Sequence, residues 1–361
     1  MDQENTKNIQ YQKGQGAQSN PHNRFLNHSY GQFEPEGIDD WALEEHVQTN
    51  FIKTNAKTIV NKVDSQDVGM AYSLNPYQGC EHGCIYCYAR NSHEYWGYSA
   101  GLDFERNILI KSGAPGLFRA FLNKKSWSGD TISLSGNTDC YQPAERKFKL
   151  TRQLLEIALE YRQPISIITK NSLVLRDLDI LKDMAAMQLC AVYVSINSLD
   201  EKLRQKLEPR TTTATQRLKI IESLSSAGIP VGIMEAPIIP GLNDTEIPQI
   251  LKTVAMAGAK WAGYTIVRLN GQIADIFKDW LFKTFPDRAE KVYHSIQQCH
   301  AGKVNDSVFG RRMRGEGHLA SIIGQTFKLH ARLNQLNETR LQLNHELFKR
   351  PGEARQLSLF D

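Results

Sequence analysis

Three cysteines lie within eight positions of the sequence, in the stretch CEHGCIYC. Cys80, Cys84 and Cys87 follow the pattern C-x-x-x-C-x-x-C. Thiolates this close together are suited to holding iron, zinc or an iron–sulfur cluster. A disulfide would pair two of the cysteines and leave the third without a role. The spacing therefore predicts a metal centre with these three residues as its ligands.

The number of ligands separates the possible metals. A structural zinc ion normally has four protein ligands. No second cysteine pair lies nearby, so His82 or His93 would have to complete a zinc site. A [4Fe–4S] cluster held by three thiolates instead leaves one iron open to a cofactor. The spacing favours the cluster, with zinc as the alternative.

Further segments carry a resemblance to known enzymes: SLSGNTDCYQPAE, SIITKN, VSINSLDEKLRQKLEPR and GIPVGIMEAPIIPGLND. Together with CEHGCIYC they resemble the radical S-adenosylmethionine (SAM) enzymes, and most of all the little-characterised bacterial relatives of the spore photoproduct lyase branch. The resemblance covers roughly residues 70–285. It implies a [4Fe–4S] cluster whose open iron is chelated by SAM. It also implies one-electron cleavage of SAM to methionine and a 5′-deoxyadenosyl radical, which abstracts hydrogen from the substrate.

The branch also suggests a substrate. Its lyase reverses a thymine–thymine photolesion in DNA, so the resemblance implies a DNA repair lyase or another enzyme that modifies DNA bases. It further implies a reducing protein such as flavodoxin or ferredoxin as a partner. An enzyme that modifies RNA or protein is one alternative. A non-catalytic, DNA-associated binding protein, with a structural or redox-sensing cluster, is the other.

Alternating strand-like and helix-like segments would position these residues. From about residue 70, β-branched runs such as PISIITK and CAVYVSIN alternate with helical patterns such as ERKFKLTRQLLEIALEYR. This rhythm favours right-handed parallel crossovers. The predicted fold class is α/β, a partial parallel (βα)6 barrel of radical SAM type. A doubly wound sheet is the rival, although neither of the usual glycine-rich phosphate-binding motifs is found.

Composition divides the chain into four predicted parts. Residues 1–69 are polar and should form a flexible, irregular N-terminal arm, and residues 70–285 the barrel. Residues 286–350 should form a helical extension, and residues 351–361 a flexible tail. Leucines predict an apolar stripe on the last helix. They are Leu329, Leu333, Leu336, Leu343 and Leu347.

Polar residues that close the predicted strands are candidates for the site, because a parallel barrel works at the carboxyl ends of its strands. The resemblance assigns Lys170 and Ser195 to SAM. Arg210 would bind the same carboxylate or pair with Glu208. Two more candidates for cofactor binding follow strands, and a capping or rim role is the alternative for Glu235. They are Asn137 and Glu235.

Two residues are predicted to be catalytic. Cys140 follows a predicted strand, where its thiol could donate hydrogen to a carbon radical. The resemblance implies a cysteine that quenches the product radical and a tyrosine, here Tyr88, that relays it. A buried, purely structural thiol is the alternative for Cys140.

The last residues contain QLSLF, which resembles the peptide that docks bacterial polymerases and repair proteins on the DNA sliding clamp. The predicted contacts follow a Pro-Gly pair and would lie in an apolar groove of the clamp. They are Gln356, Leu357, Leu359 and Phe360. Packing of this tail on its own barrel is the alternative.

Charge adds a mild indication of nucleic acid binding. The formal net charge is +4, and residues 286–361 hold 12 Lys or Arg against 8 Asp or Glu. Arg311, Arg312 and Arg314 are candidates for phosphate contact, although Glu316 lies close in sequence. Apolar runs are too short for a membrane span or a secretory signal. A cytoplasmic protein without a membrane partner is therefore expected.

Overall fold

The computed structural model describes residues 11–26, 48–65 and 67–352. Its strands in chain order are β1 (Asn50–Lys53), β2 (Val60–Lys62), β3 (Tyr72–Leu74), β4 (Tyr77–Gln78), β5 (Asn107–Ile110), β6 (Ile132–Leu134), β7 (Ile165–Thr169), β8 (Cys190–Ser195), β9 (Val231–Ile238) and β10 (Trp261–Ile266).

Helices follow most of the strands. They are α1 (Asp103–Arg106), α2 (Ala114–Leu122), α3 (Glu145–Phe148), α4 (Leu150–Glu160), α5 (Leu178–Ala186), α6 (Glu201–Leu207), α7 (Ala214–Ser226), α8 (Ile247–Met256), α9 (Ile273–Thr284), α10 (Ala289–Gln298) and α11 (Gly317–Leu333). Short 3-10 helices span Tyr88–Trp96, Ser172–Asp177 and Asp244–Glu246.

Local sequence explains several of the helix starts. The Asp200 carboxylate accepts from the backbone N–H groups at the start of α6, and the Thr213 hydroxyl does the same for α7. Such side chains satisfy backbone donors that have no partner within the helix.

The main sheet has seven strands in the order β10-β9-β8-β7-β6-β3-β2. The six strands from β3 to β10 pair in parallel, and β2 pairs antiparallel to β3 at one edge. The predicted α/β class with a parallel sheet is confirmed. A smaller sheet has the order β1-β5-β4.

Side chains alternate between the two faces of the parallel sheet. Ile167, Val192 and Ile233 belong to the main hydrophobic core, which the surrounding helices share. Ser133, Ser166 and Tyr193 stand at the alternate positions, and the two serine hydroxyls lie 2.6 Å apart. We call the side that carries these polar residues the inner face.

A second hydrophobic cluster joins the segment that carries Cys80, Cys84 and Cys87, the cysteine segment, to helices α9 and α10. Ile85 packs there with Trp280 of α9 and Ile296 of α10, and all three are buried. Helices α9 and α10 therefore cover the cysteine segment as well as extending the chain.

The start of the chain contains more structure than its composition predicts. Strands β1 and β2 lie within residues 1–69, the predicted irregular arm. Strand β1 pairs in parallel with β5, 57 residues away, so a partner distant in sequence supplies its hydrogen bonds.

The predicted stripe on the last helix is only partly observed. Helix α11 ends at Leu333, where Leu329 and Leu333 are exposed, while Leu336 is buried beyond the helix end. Gln335 and Asn337 have positive φ values and turn the chain away from a helix. Leu347 therefore packs on the core from a non-helical segment. Within the described ranges, no helix is long and apolar enough to cross a membrane.

Candidate functional site

The three clustered cysteines lie on the segment between β4 and the 3-10 helix Tyr88–Trp96. Gly79 and Gly83 in this segment have φ values of 80° and 68°, which favour glycine. A Cβ atom at Gly83 would lie 2.7 Å from a carboxylate oxygen of Glu105. The two glycines therefore let the segment turn tightly around its cysteines.

A buried arginine holds this turn from behind. The Arg90 guanidinium donates to the carbonyl of Cys84 at 3.0 Å and to that of Gly83 at 3.2 Å. It also forms an ion pair of 2.6 Å with Glu105. Because a guanidinium has five donors in a fixed plane, one side chain fixes several points of the segment.

Residues 11–26, the N-terminal segment, close over the same turn. The backbone N–H groups of Gly16 and Ala17 donate to Glu105 at 3.2 and 2.8 Å. A Cβ atom at Gly16 would lie only 1.6 Å from the Gly83 carbonyl oxygen. The N-terminal segment is therefore part of the wall around the cysteines.

The thiols of Cys80, Cys84 and Cys87 are free, and the first two are buried. Burial and the neighbouring acidic groups raise the pKa of Cys80 well above its ordinary value, and burial raises those of Cys84 and Cys87 too. A positively charged metal centre stabilises the thiolate form of such buried thiols and binds them in that form. Their number and surroundings thus fit a metal centre.

A single metal ion and an iron–sulfur cluster place different demands on the positions of their ligands. Across the described ranges, no three His, Cys, Asp or Glu side chains converge as the ligands of one metal ion would. In an iron–sulfur cluster each cysteine binds a different iron, so the thiolates need not meet at one point.

His82 has another role than completing a zinc site. Its Nε2 lies 3.1 Å from the Asn171 amide nitrogen, and its Nδ1 lies 3.5 Å from the Asp139 carboxylate. Burial lowers the pKa of His82 to about 4, which favours the neutral ring. Asp139 also accepts from the Thr169 hydroxyl at 2.8 Å and from the Lys170 backbone N–H at 2.8 Å.

Lys170 lies beside the cysteines, as the sequence predicts for a residue that follows β7. Burial disfavours its charge, but Cys84 and Glu208 outweigh burial and raise the pKa of Lys170. Its ammonium group has no hydrogen bond or ion pair to any residue in the described part of the chain. The structure thus places next to the cysteine segment a cation that no described residue pairs.

A second buried ion pair connects Ser195 to the cysteine segment. Glu208 pairs with Arg217 and accepts from the Tyr86 hydroxyl. Arg217 also donates to the Ser195 carbonyl at 2.9 Å. Ser195 is the last residue of β8. It follows Tyr193 by two positions, so its side chain lies on the same inner face. Arg217 lies in the first turn of α7, where the local sequence gives no signal of this role.

Asn137 and Arg210 are bound to structural partners. The Asn137 amide donates to Gln78 at 2.9 Å and to Ser92 at 3.2 Å. Arg210 pairs with Glu105 at 2.6 Å rather than with Glu208. Both residues therefore reinforce the cysteine segment and its surroundings in this structure.

Glu235 is not brought to the inner face. It is in register with Tyr264, whose ring packs 4.5 Å from that of Phe327 in α11, so both side chains are on the helix side. Glu235 is 1% exposed, and neither carboxyl oxygen has a partner among the residues described. Burial and the nearby Glu246 raise the pKa of Glu235 to about 8.

The two predicted catalytic residues lie in different environments. Cys140 has no exposed surface and packs in the main core, and its backbone N–H donates to the Ser135 hydroxyl at 2.8 Å. Tyr88 is 52% exposed, and its hydroxyl donates to the Gly136 carbonyl at 2.7 Å. Tyr88 thus extends from the cysteine segment to the end of β6, whereas the Cys140 thiol is enclosed.

The predicted nucleic-acid arginines are largely neutralised. Arg311 pairs with Asp306 at 2.5 Å and with Glu316, and Arg312 pairs with Asp67 at 2.9 Å. Arg314 is exposed and its guanidinium lies 4.0 Å from the centre of the Tyr264 ring. The predicted clamp contacts Gln356, Leu357, Leu359 and Phe360 lie outside the described residues.

Comparison with known families and proteins adds independent information. Residues 74–254 match the family model of the Radical SAM superfamily. An uncharacterised protein of Mycobacterium tuberculosis is 32% identical over 240 residues, which are 66% of this chain and 71% of the relative. An uncharacterised protein of Methanocaldococcus jannaschii is 33% identical over 240 residues, 66% of this chain and 85% of the relative. The radical SAM Nalpha-GlyT isomerase of Pseudomonas phage M6 is 25% identical over 246 residues, 64% of this chain and 47% of the relative.

Solved structures share the fold. Spore photoproduct lyase complexed with dinucleoside spore photoproduct matches with a TM-score of 0.57 at 16% identity, over 78% of this chain and 79% of that one. A variant of that lyase with bound AdoMet and dinucleoside spore photoproduct matches with a TM-score of 0.56 over the same shares, again at 16% identity. At this identity the likeness concerns the fold alone.

Proposed function

The chain belongs to the radical SAM superfamily, and on that basis we propose that it is an enzyme that acts on DNA, by reversing a lesion or modifying a base. The superfamily uses a [4Fe–4S] cluster and SAM. The observation that carries the proposal is Lys170, a cation without a partner among the described residues, which lies at the carboxyl end of the parallel strand β7 beside three free cysteines. This is the face on which parallel barrels do chemistry.

The residues present suit both cofactors. Cys80, Cys84 and Cys87 would hold the cluster, and Lys170 and Ser195 would bind the carboxylate and hydroxyl groups of SAM. When bound, the reduced cluster and SAM supply a 5′-deoxyadenosyl radical that abstracts hydrogen from the substrate. A reducing protein such as flavodoxin or ferredoxin would deliver the electron.

The protein itself contributes rigidity and exclusion of water. Arg90 and Glu105 fix the backbone of the cysteine segment, and Glu208 with Arg217 fixes the end of β8. Ile85 and its neighbours in α9 and α10 form an apolar wall on one side of the segment. Such a wall limits the access of water to a reactive centre.

Exposed aromatic rings beside this site support DNA as the substrate. Tyr88 and Tyr95, on the 3-10 helix that follows the cysteines, are 52% and 73% exposed. Phe25 of the N-terminal segment stacks 4.9 Å from Tyr95. Exposed rings of this kind stack on unpaired bases. The fold shared with spore photoproduct lyase adds support from a protein complexed with a dinucleoside lesion.

Recruitment to DNA would use the last residues. The sequence QLSLF resembles clamp-docking peptides and lies shortly after Pro351 and Gly352. A chain lacking residues 353–361 should lose binding to the bacterial sliding clamp in surface plasmon resonance while it keeps cleavage of SAM. Equal binding by both chains would contradict the docking role.

The experiment that tests the function compares polymers. The protein would be reconstituted anaerobically with iron and sulfide, reduced and mixed with SAM. The 5′-deoxyadenosine formed would be quantified with no polymer, intact DNA, ultraviolet-irradiated DNA and RNA, together with the loss of lesions. Cys84→Ala should abolish cleavage, whereas Cys190→Ala, which removes a buried thiol in β8, should retain it.

The outcomes separate the functions. Turnover or lesion loss selective for DNA supports the proposal. Stimulation by RNA, or turnover indifferent to every polymer, redirects the search to RNA or protein substrates. An intact cluster without any cleavage of SAM indicates the non-catalytic binding protein.

A further inference from the structure

Arg268 follows β10, the last strand of the parallel sheet, by two residues. The backbone on either side of it is fixed, because Val267 donates to the Ile238 carbonyl at 2.9 Å and Leu269 donates to the Val304 carbonyl at 2.9 Å. The side chain of Arg268 is partly buried. Its guanidinium forms neither a hydrogen bond nor an ion pair with any residue in ranges 11–26, 48–65 and 67–352.

The nearby carboxylates do not neutralise it. Asp67 and Asp306 are close enough for their charges to act on Arg268. Asp67, however, accepts two hydrogen bonds of 2.9 Å from Arg312, and Asp306 accepts one of 2.5 Å from Arg311. Burial and the positive charge of Arg312 therefore lower the pKa of Arg268. The strand end retains a positive charge that no described residue neutralises.

An unpaired guanidinium in a partly buried position is costly, because its donors lose water without gaining a partner. An arginine fork matches the oxygens of a phosphate or a carboxylate. Because Arg268 follows the carboxyl end of a parallel strand, its guanidinium lies at the end of the barrel where parallel barrels carry their active sites. A bound anion would remove the cost.

The neighbouring rings indicate which anion. Arg268 lies close enough to the exposed Tyr88 for the guanidinium to interact electrostatically with the phenol group. Phe309 is also exposed, and Arg312, another neighbour of Arg268, lies 4.3 Å from the centre of its ring. Free positive charge among exposed aromatic rings is typical of sites for unpaired nucleotides, in which the rings stack on bases and arginine binds phosphate.

We infer that Arg268 binds a phosphate group of an unpaired nucleotide at the mouth of the inner face. This inference rests on the proposed function, since it makes the DNA backbone the ligand. It also assigns phosphate recognition to a residue outside residues 310–317, the arginine-rich loop, whose Arg311 and Arg312 already have carboxylate partners.

The first test follows Arg268 itself in the reconstituted wild-type protein. Phenylglyoxal, which modifies accessible arginines, would be added, and peptide mass spectrometry would give the rate at each arginine. Arg268 should react faster than Arg311 and Arg312. A thymine-containing octadeoxynucleotide should slow the reaction at Arg268 at least fivefold, and inorganic phosphate should slow it to a smaller extent. Protection by SAM alone would overturn the inference and assign Arg268 to the cofactor carboxylate.

The second test measures affinity with Arg268→Gln, Arg268→Lys and Arg332→Gln. Arg332 is exposed near the end of α11 and provides a control that removes one charge elsewhere. In fluorescence anisotropy, Arg268→Gln should weaken binding of the octadeoxynucleotide about tenfold. It should also reduce the slope of log Kd against log salt by about 0.7, as expected for one lost phosphate contact on a single strand. Arg268→Lys should retain part of the affinity, and SAM binding should be unchanged in all three variants.

The two proposals fail in different ways. Oligonucleotide binding that is unaffected by Arg268→Gln and leaves Arg268 unprotected overturns the inference while DNA binding stands. Protection of Arg268 by phosphate without any oligonucleotide binding supports the anion site and contradicts DNA as the substrate. Absence of protection by every anion overturns the site itself.

Discussion

Arg90 and Glu105 form an ion pair of 2.6 Å in which both side chains are almost fully buried. The guanidinium also holds the backbone of the cysteine segment, and the carboxylate also holds the backbone of the N-terminal segment. One pair thus connects two parts of the chain that are more than sixty residues apart. The stability of the cysteine segment and its capacity to bind a cluster should depend on this pair.

Arg90→Gln should lower the free energy of unfolding by about 3–5 kcal/mol, because it leaves the Glu105 charge buried without its partner. The reconstituted iron content should fall as the turn loosens. Arg119→Gln is the matched control, since Arg119 pairs with Glu160 at the same 2.6 Å but with side chains 46% and 41% exposed. It should cost less than about 1 kcal/mol in the same denaturant titration. Equal effects of the two substitutions would contradict a central role for the buried pair.

Gly16→Ala should displace the N-terminal segment, because its Cβ atom would lie 1.6 Å from the Gly83 carbonyl oxygen. Trypsin should then cleave after Lys13 and Arg24 at least several times faster than in the wild type. Gly113→Ala is the control, since a Cβ atom there would meet no atom within 4 Å. Unchanged cleavage in Gly16→Ala would show that the segment does not depend on this close approach.

Glu235→Gln should change how stability depends on pH. The folded protein raises the pKa of Glu235 from 4.5 to about 8, mainly through burial. The protonated carboxyl therefore makes its full contribution to the free energy of unfolding below about pH 4.5. This contribution is lost as the pH rises to about 8. Glutamine does not titrate. The free energy of unfolding of the variant should therefore rise relative to that of the wild type across this range, by an amount of the order of a few kcal/mol.

The check for Glu235 is urea unfolding of wild type and variant at pH 5, 6.5 and 8. Glu222→Gln, at an exposed position of α7, is the control. Its free energy of unfolding should differ from that of the wild type by the same amount at all three pH values. A pH-independent difference for Glu235→Gln would show that the carboxyl is ionised in the folded protein.

Cys140→Ala should lower stability by about 1–2 kcal/mol, because it removes a buried atom from a close-packed core. Product distribution in the reconstituted enzyme should be unchanged, since the thiol has no exposed surface. New or additional products without this thiol would instead assign Cys140 the hydrogen-donor role that its position after a strand suggested. Liquid chromatography with mass spectrometry of the digested substrate distinguishes the two results.

The sequence predicts the cluster ligands and the parallel sheet because both are local signals. Three cysteines in eight positions need no tertiary information, and alternating β-branched runs mark strands one by one. Lys170 follows from the same logic, since it closes a strand. Arg90 and Arg217 give no such signal, because their roles depend on Glu105 and Glu208, which only the fold brings to them.

The arginine-rich loop shows why local charge can mislead. Arg312 is neutralised by Asp67, which is 245 positions away, so its pairing cannot be read from GRRMRGEG. Arg268, in contrast, is a single arginine after a strand and becomes notable only once its neighbours are seen to be paired with others. The face of the sheet on which Glu235 lies depends on its exact position in β9, because a shift of one residue would place the side chain on the inner face.

Isotope labelling would show whether hydrogen passes from DNA to the 5′-deoxyadenosyl group. The reconstituted enzyme would be incubated with SAM and uniformly deuterated DNA, both intact and ultraviolet-irradiated, and deuterium would be measured by mass spectrometry in 5′-deoxyadenosine and in SAM. Measuring both species covers the case in which SAM is regenerated. If DNA is the substrate, deuterium should appear in at least one of them with at least one of the two DNA samples. Continued cleavage of SAM with no deuterium in either species would contradict DNA as the substrate.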